Sequence, residues 1–146
     1  MLNMLIRFIK ILIFLVIIIN IGAYFINKSE IGEHVKKVDW LPTHASDISF
    51  YKTLGYELYE FTIDEKEFFK WSDEKNLSVS SINEKDNKLF ERYTTATCKD
   101  CNDTDTYVIL KHGYYGHHEN TSGNGGGWQV GYDLDTHKAY YSWSSH

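Results

Sequence analysis

The feature that most constrains this chain is an uncharged apolar run close to its N-terminus. From Ile11 to Ile26 the sequence reads ILIFLVIIINIGAYFI, in which Asn20 is the only strongly polar side chain. A helix that is apolar on all sides has no polar face to turn toward water, which excludes an ordinary surface helix of a small domain. The run therefore predicts a single transmembrane helix, and we assign residues 1–27 to a membrane anchor contacting the lipid bilayer.

The length of the run bears on how it is placed in the bilayer. Sixteen helical residues cover about 24 Å, which is short of the roughly 30 Å hydrocarbon core. The apolar residues before Ile11 can complete the span if Arg7 and Lys10 extend their charges to the headgroups. A cleaved signal peptide is the alternative, with Gly22 and Ala23 as a weak cleavage site.

The basic residues on either side of the run give the expected orientation. Arg7 and Lys10 lie directly against the apolar core, whereas Glu30 and Glu33 interrupt the lysines that follow it. This arrangement favours a cytoplasmic N-terminus. We therefore expect a single-pass signal-anchor in the cell (inner) membrane, with the C-terminal domain outside the cytoplasm.

The charge of the remaining chain excludes one large class of partner. From Lys28 onward the sequence carries 13 basic and 20 acidic residues. Nucleic acids are bound by lysine and arginine side chains that neutralise phosphates, and anionic lipid surfaces select the same residues. We therefore expect no nucleic-acid partner, and a domain that stands off the headgroups.

The chain after the anchor divides into a short polar segment and one domain. Residues 28–39 are interpreted as a stalk or linker that ends near Pro42, because proline cannot continue a helix. Residues 40–146 are interpreted as an extracytoplasmic α+β domain with a small antiparallel sheet and one helix packed on it. The helix is predicted from Asp64, a good N-cap with Glu67 three residues on, to about residue 76.

Alternating side chains predict the strands of this domain. Trp128, Val130 and Tyr132 share one face of one strand, and Tyr141 and Trp143 share one face of the next. A turn over residues 133–137 would join the two strands into an antiparallel hairpin. Further strands are predicted over residues 48–52, 57–63, 89–97, 106–111 and 113–118.

The sequence also resembles a known family of small uncharacterised bacterial membrane-anchored or exported proteins. The residues that carry the resemblance are a W-L-P-x-x-A-x-D-I start and a G-G…Y-D…Y-Y end: Trp40, Leu41, Pro42, Ala45, Asp47, Ile48, Glu60, Phe61, Ile63, Phe68 to Trp71, Gly126, Gly127, Tyr132, Asp133, Tyr140 and Tyr141. The resemblance implies a location in the bacterial envelope. It implies no activity and no site residues.

Cys98 and Cys101 are the only two cysteines. Their spacing fits the two ends of a tight turn, where the α-carbons come within disulfide reach, so a small structural disulfide is expected in an oxidising compartment. Free thiols, metal ligation and redox catalysis are the alternatives. A zinc site would need His112, His117 or His118 as further ligands, but adjacent histidines on a strand point to opposite faces. We expect no metal and no cofactor.

Aromatic residues concentrate in the last third of the chain. Exposed rings there can form a stacking surface for a glycan or a flat interface for a protein. The candidates for this interaction surface are Tyr114, Tyr115, Trp128, Tyr140 and Trp143. No catalytic signature is present, so the sequence favours a noncatalytic interaction or accessory module of the envelope, with a protein or cell-wall glycan as partner. The alternatives are a small envelope hydrolase and a metal-binding domain that uses Cys98, Cys101 and nearby histidines.

Overall fold

The computed structural model of the protein describes residues 2–26, 28–83, 86–96, 98, 106–120 and 125–145. The first element is helix α1 (Leu2–Ile26). Its described apolar side chains are exposed, with Phe14 at 63% and Ile19 at 67%. Among the described residues, no helix combines the length and the apolarity that crossing a membrane requires.

The rest of the described chain is built on a seven-stranded antiparallel sheet. Its strands are β1 (Glu30–Val35), β2 (Ser46–Thr53), β3 (Tyr56–Thr62), β4 (Ser80–Ser81), β7 (Gly113–Glu119), β8 (Gly127–Asp133) and β9 (Lys138–Ser144). They lie in the order β1-β2-β3-β9-β8-β7-β4. The pairing of β3 with β9 therefore joins the two halves of the chain at the centre of the sheet.

Helix α2 (Glu65–Glu74) packs on one face of this sheet, here called the helix face. The Asp64 side chain accepts a hydrogen bond from the Glu67 backbone N–H at 3.0 Å, which confirms the predicted N-cap. Phe68 stacks on Tyr132 with ring centroids 4.8 Å apart, and Trp71 packs edge-on against Phe61. The expected α+β class is therefore confirmed, although the sheet is larger than predicted.

A separate two-stranded hairpin, β5 (Lys88–Glu91) and β6 (Tyr107–Leu110), covers the opposite face, here called the hairpin face. Phe90 and Leu110 are buried between the hairpin and the sheet against Tyr140. Gly131 lies directly beneath them, and a Cβ at this position would come within 2.5 Å of the Phe90 ring. The domain thus has three layers, with the large sheet between α2 and the hairpin.

Two expectations about segments were wrong. Residues 28–39 were interpreted as a stalk, but Glu30–Val35 form strand β1 at the edge of the sheet, paired with β2. An edge strand is held mainly by backbone hydrogen bonds to one neighbour, so its side chains need not show a buried pattern. The strand predicted over 89–97 ends at Glu91 and is followed by a 3-10 helix, Tyr93–Ala96.

Candidate functional site: an aromatic row and a polar cleft

One line of residues crosses five adjacent strands on the helix face. The strand registers pair Lys52 with Glu57, Glu57 with Trp143, Trp143 with Trp128, and Trp128 with His118. Directly paired residues of antiparallel strands point to the same face of the sheet. We call these five side chains the aromatic row. With about 4.8 Å between neighbouring strands, the row is about 19 Å long.

The aromatic row lies beyond the part of the helix face that is covered. Helix α2 packs over Phe61, Tyr132 and Tyr114, which lie four residues along their strands from the row. Between helix α2 and the aromatic row, the Trp40 ring covers Tyr59 and Tyr141, with ring centroids 5.0 and 4.8 Å apart. His118 is exposed, and Trp128 and Trp143 are half-buried.

The rings of the row lie side by side, and ionic groups occupy one end. His118 stacks on Trp128 with ring centroids 6.1 Å apart. At the other end Lys52 Nζ lies 3.1 Å from Glu57 Oε1, and this hydrogen bond raises the pKa of Lys52. Lys52, Glu57, Trp143, Tyr141 and Trp40 line an open cavity of about 360 Å³. The row therefore places two indole rings between an ion pair at one end and an imidazole at the other.

The five aromatic residues predicted as one surface lie on both faces of the sheet. Trp128 and Trp143 belong to the row. Tyr114 also lies on the helix face, where its ring contacts Phe69 and its hydroxyl donates to Glu65 at 2.6 Å. Tyr115 lies on the hairpin face.

Tyr140 was predicted to belong to the exposed interaction surface, and this prediction was wrong. It is only 4% exposed and packs against Phe90 beneath the hairpin. Tyr140 precedes Tyr141 and therefore points to the opposite face from Tyr141 and Trp143. Its environment makes it a core residue rather than part of an exposed surface.

A polar cleft of about 350 Å³ lies at the same end of the sheet, between the hairpin and strands β7 to β9. On the hairpin face its polar lining includes Tyr56, Glu91, His117, Glu119, Gln129 and Ser142. The Tyr56 hydroxyl donates a hydrogen bond to Glu91 and so ties β3 to β5. Burial and this bond raise the pKa of Tyr56, which keeps its hydroxyl protonated at neutral pH.

The cysteines and histidines predicted as alternative metal ligands are only partly described. Cys98 is disulfide-bonded, and Cys101 lies outside the described residues. His117 stacks on Tyr115 and His118 on Trp128, so the two adjacent histidines point to opposite faces as expected. His112 contacts Asp135 at 3.2 Å. Within the described ranges, no group of three His, Cys, Asp or Glu side chains could hold a metal ion.

Sequence reasoning missed a charged cluster at the centre of the sheet. Glu60 is 3% exposed and accepts two hydrogen bonds from the Arg92 guanidinium, at 2.9 and 2.8 Å, and one from Lys138 Nζ at 2.9 Å. Burial raises the pKa of Glu60, but the two cations together lower it by more than burial raises it. The pKa of Glu60 therefore lies below its ordinary value. An acidic residue in an alternating strand is ordinarily placed on the solvent face, and only the long-range contacts with Arg92 and Lys138 explain its burial.

Comparison with known proteins finds no matching family model, no matching curated protein and no matching solved structure. The resemblance to small bacterial membrane-anchored or exported proteins therefore stays an expectation.

Proposed function

We propose that this protein is a membrane-anchored, noncatalytic binding module of the bacterial envelope that recognises its partner through the aromatic row. The observation that carries the proposal is the position of Trp128, Trp143 and His118. These rings lie at adjacent register positions on one face of the sheet, next to the part of that face where Tyr59, Phe61 and Tyr132 are buried. Rings held in this way by β-strands lose little conformational entropy on binding, which favours a recognition surface.

The anchoring part of the proposal is supported by helix α1. Its uncharged part from Ile11 to Ile26 has Asn20 as its only strongly polar side chain, and the large apolar side chains described there are exposed. An exposed apolar surface of this extent is stable only when lipid or another protein covers it. We propose that lipid covers it, with Arg7 and Lys10 at the headgroups on the cytoplasmic side, and that the sheet domain lies outside the cytoplasm.

Carbonate extraction tests the anchor. The full chain is expected to stay with the membrane pellet at high pH, and protease added to spheroplasts should digest the domain from outside. Replacing Ile17 and Ile18 with lysine should release the chain, because each charge in the middle of a membrane helix costs about 3 kcal/mol.

The matched control for the anchor is Ile31→Lys, which places a charge on an exposed apolar side chain of strand β1 outside α1. This variant should remain in the pellet. Release of the unaltered chain by carbonate, or protection of the domain in spheroplasts, would contradict the proposed location.

Crosslinking in intact cells tests the binding surface. The unaltered chain should give discrete crosslinked species, and the double variant Trp128→Ala, Trp143→Ala should lose most of them, because truncating aromatic anchors at the centre of an interface removes most of its affinity. The matched control is Ile109→Ala, which truncates an exposed apolar side chain on the hairpin outside the polar cleft. An unchanged crosslink pattern in the double variant would exclude the row as the binding surface.

A small envelope hydrolase is the second candidate, and the polar cleft favours it. The cleft places His117 near the carboxylates of Glu91 and Glu119, and general acid–base chemistry uses these residue types. The observations for binding are stronger, since two indoles and an imidazole of the row lie at adjacent register positions.

A further inference from the structure

We infer that the ligand of the aromatic row is a neutral, linear oligosaccharide that lies across the strands along the row. The inference rests on the proposed function and specifies its partner. It depends on four properties of the row: the kind of side chain, the ion pair at one end, the charge of the domain, and its distance from α1.

The first property is the succession of aromatic rings on neighbouring strands. Trp143 and Trp128 are direct cross-strand partners, and His118 follows on the next strand. The C–H faces of hexose rings stack on indole and imidazole planes, whereas a helix or strand of a partner protein usually inserts side chains into pockets. The three rings lie on successive strands, so neighbouring rings are about one strand spacing apart. This spacing suits the successive sugar rings of a saccharide chain.

The second property is the ion pair at one end of the row. Lys52 and Glu57 hydrogen-bond to each other at one end and remain partly accessible, with side-chain exposures of 43% and 21%. Covering this ion pair with an apolar protein surface would cost desolvation free energy without replacing its contacts with water. Sugar hydroxyls both donate and accept hydrogen bonds, so they can replace that water.

The third property is net charge. From Lys28 onward acidic residues outnumber basic residues by 20 to 13, and Glu57 belongs to the row itself. An anionic polymer would be repelled by this field. A neutral chain is not.

The fourth property is the position of the row in the chain. Lys52 pairs with Glu30, which lies only four residues after the last residue of α1. Four residues span at most about 14 Å. With α1 in the membrane, the Lys52 end of the row therefore lies close to the bilayer surface, where a thin saccharide chain fits more easily than a folded protein.

Calorimetric titration of the full chain in detergent with defined sugars tests the inference. The probes are two neutral β-1,4-linked tetramers, one of glucose and one of N-acetylglucosamine, and an acidic tetramer of galacturonate. At least one neutral tetramer should bind saturably and the acidic one should not. Trp128→Ala and Trp143→Ala should each weaken the neutral sugar about tenfold, which is the loss expected for one stacked ring.

The control variant is Ile109→Ala, which truncates an exposed hairpin side chain outside the row and outside both cavities, and it should bind the sugar like the unaltered chain. Circular dichroism verifies that each variant is folded, and Trp128→Phe, which keeps a ring, should bind more tightly than Trp128→Ala. Saturable binding that both alanine variants reduce supports the inference. No saturable binding of either neutral tetramer overturns it, and so does binding that the alanine variants leave unchanged.

The crosslinking experiment separates this inference from the proposed function. If no neutral sugar binds but the crosslinks still require Trp128 and Trp143, the row binds a protein, and the glycan inference alone is overturned. If the crosslinks are also independent of both tryptophans, the proposed function fails with it.

Discussion

Replacing Glu60 with alanine is expected to lower the free energy of unfolding by about 3 kcal/mol, because the change removes the buried carboxylate that two cations at the centre of the sheet share. Lys138 keeps a longer contact with Asp47, at 3.8 Å. Glu60 is 3% exposed, and both its carboxylate oxygens accept hydrogen bonds from Arg92 or Lys138. The side chains of Arg92 and Lys138 are 29% and 31% exposed, so water can partly solvate both cations in the variant. The expected cost therefore lies at the lower end of the range for a broken buried pair. Urea titration of the full chain in detergent measures it.

The matched control for Glu60 is Asp86→Asn. Asp86 contacts Lys88 at 2.6 Å, but its side chain is 66% exposed. An exposed ion pair contributes between zero and about 1 kcal/mol, so this variant should unfold at nearly the same urea concentration as the unaltered chain. Equal effects of the two substitutions would show that the Glu60 cluster contributes no more than a surface contact.

The same cluster predicts an acid dependence of stability. The pKa of Glu60 is lower in the folded chain than its ordinary value of 4.5, because Arg92 and Lys138 favour the carboxylate more than burial disfavours it. Its stabilising contribution is therefore fully present above pH 4.5 and is lost as the pH falls toward the lower folded-state pKa. As the pH is lowered through this range, the free energy of unfolding of Glu60→Gln should therefore fall less than that of the unaltered chain.

Local patterns were sufficient to predict α2 and the C-terminal hairpin. Asp64 and Glu67 predict the start of the helix because an N-cap depends only on residues one turn apart. The last two strands were predicted because their alternation is strict and the turn between them is short. Counting outward from the Asp133–Lys138 pair at this turn also places Trp128 opposite Trp143, so the centre of the aromatic row can be derived from the sequence.

The ends of the aromatic row could not be derived in this way. Lys52 and Glu57 join it only because β3 pairs with β9, a contact between residues more than 80 positions apart in the chain. Sequence patterns give the face of each residue within a strand, but they do not give the order of strands. The burial of Glu60 and the docking of the β5–β6 hairpin depend on the same long-range pairing.

Replacing Phe90 with alanine is expected to loosen the hairpin that lines the polar cleft, while the strands that carry the tryptophans of the aromatic row stay folded. Phe90 is 1% exposed, and its ring lies 5.9 Å from that of Tyr140 and 5.7 Å from that of Tyr115. Truncating a buried phenylalanine costs about 3 to 5 kcal/mol, and here the loss falls on the layer between the hairpin and the sheet. Amide exchange should therefore accelerate most in β5 and β6, while β8 and β9 keep their protection.

The matched control is Phe68→Ala, which removes an equally buried ring from the opposite face, where Phe68 stacks on Tyr132. This variant should lose a similar amount of stability, but amide exchange should accelerate first in α2. Uniform acceleration over the whole domain in both variants would mean that the hairpin and the sheet unfold together, and the hairpin could not then be loosened separately.

The functional outcome of Phe90→Ala distinguishes a binding module from a hydrolase. The hairpin supplies Leu89, Glu91 and Tyr107 to the polar cleft, so loosening it dismantles the cleft. The side chains of the aromatic row point to the other face and none comes from the hairpin, although His118, Trp128 and Trp143 also border the cleft. Crosslinks that survive Phe90→Ala but not the double tryptophan variant would assign recognition to the row. Crosslinks lost in Phe90→Ala, in a chain whose β8 and β9 stay protected, would assign recognition to the cleft and favour the hydrolase.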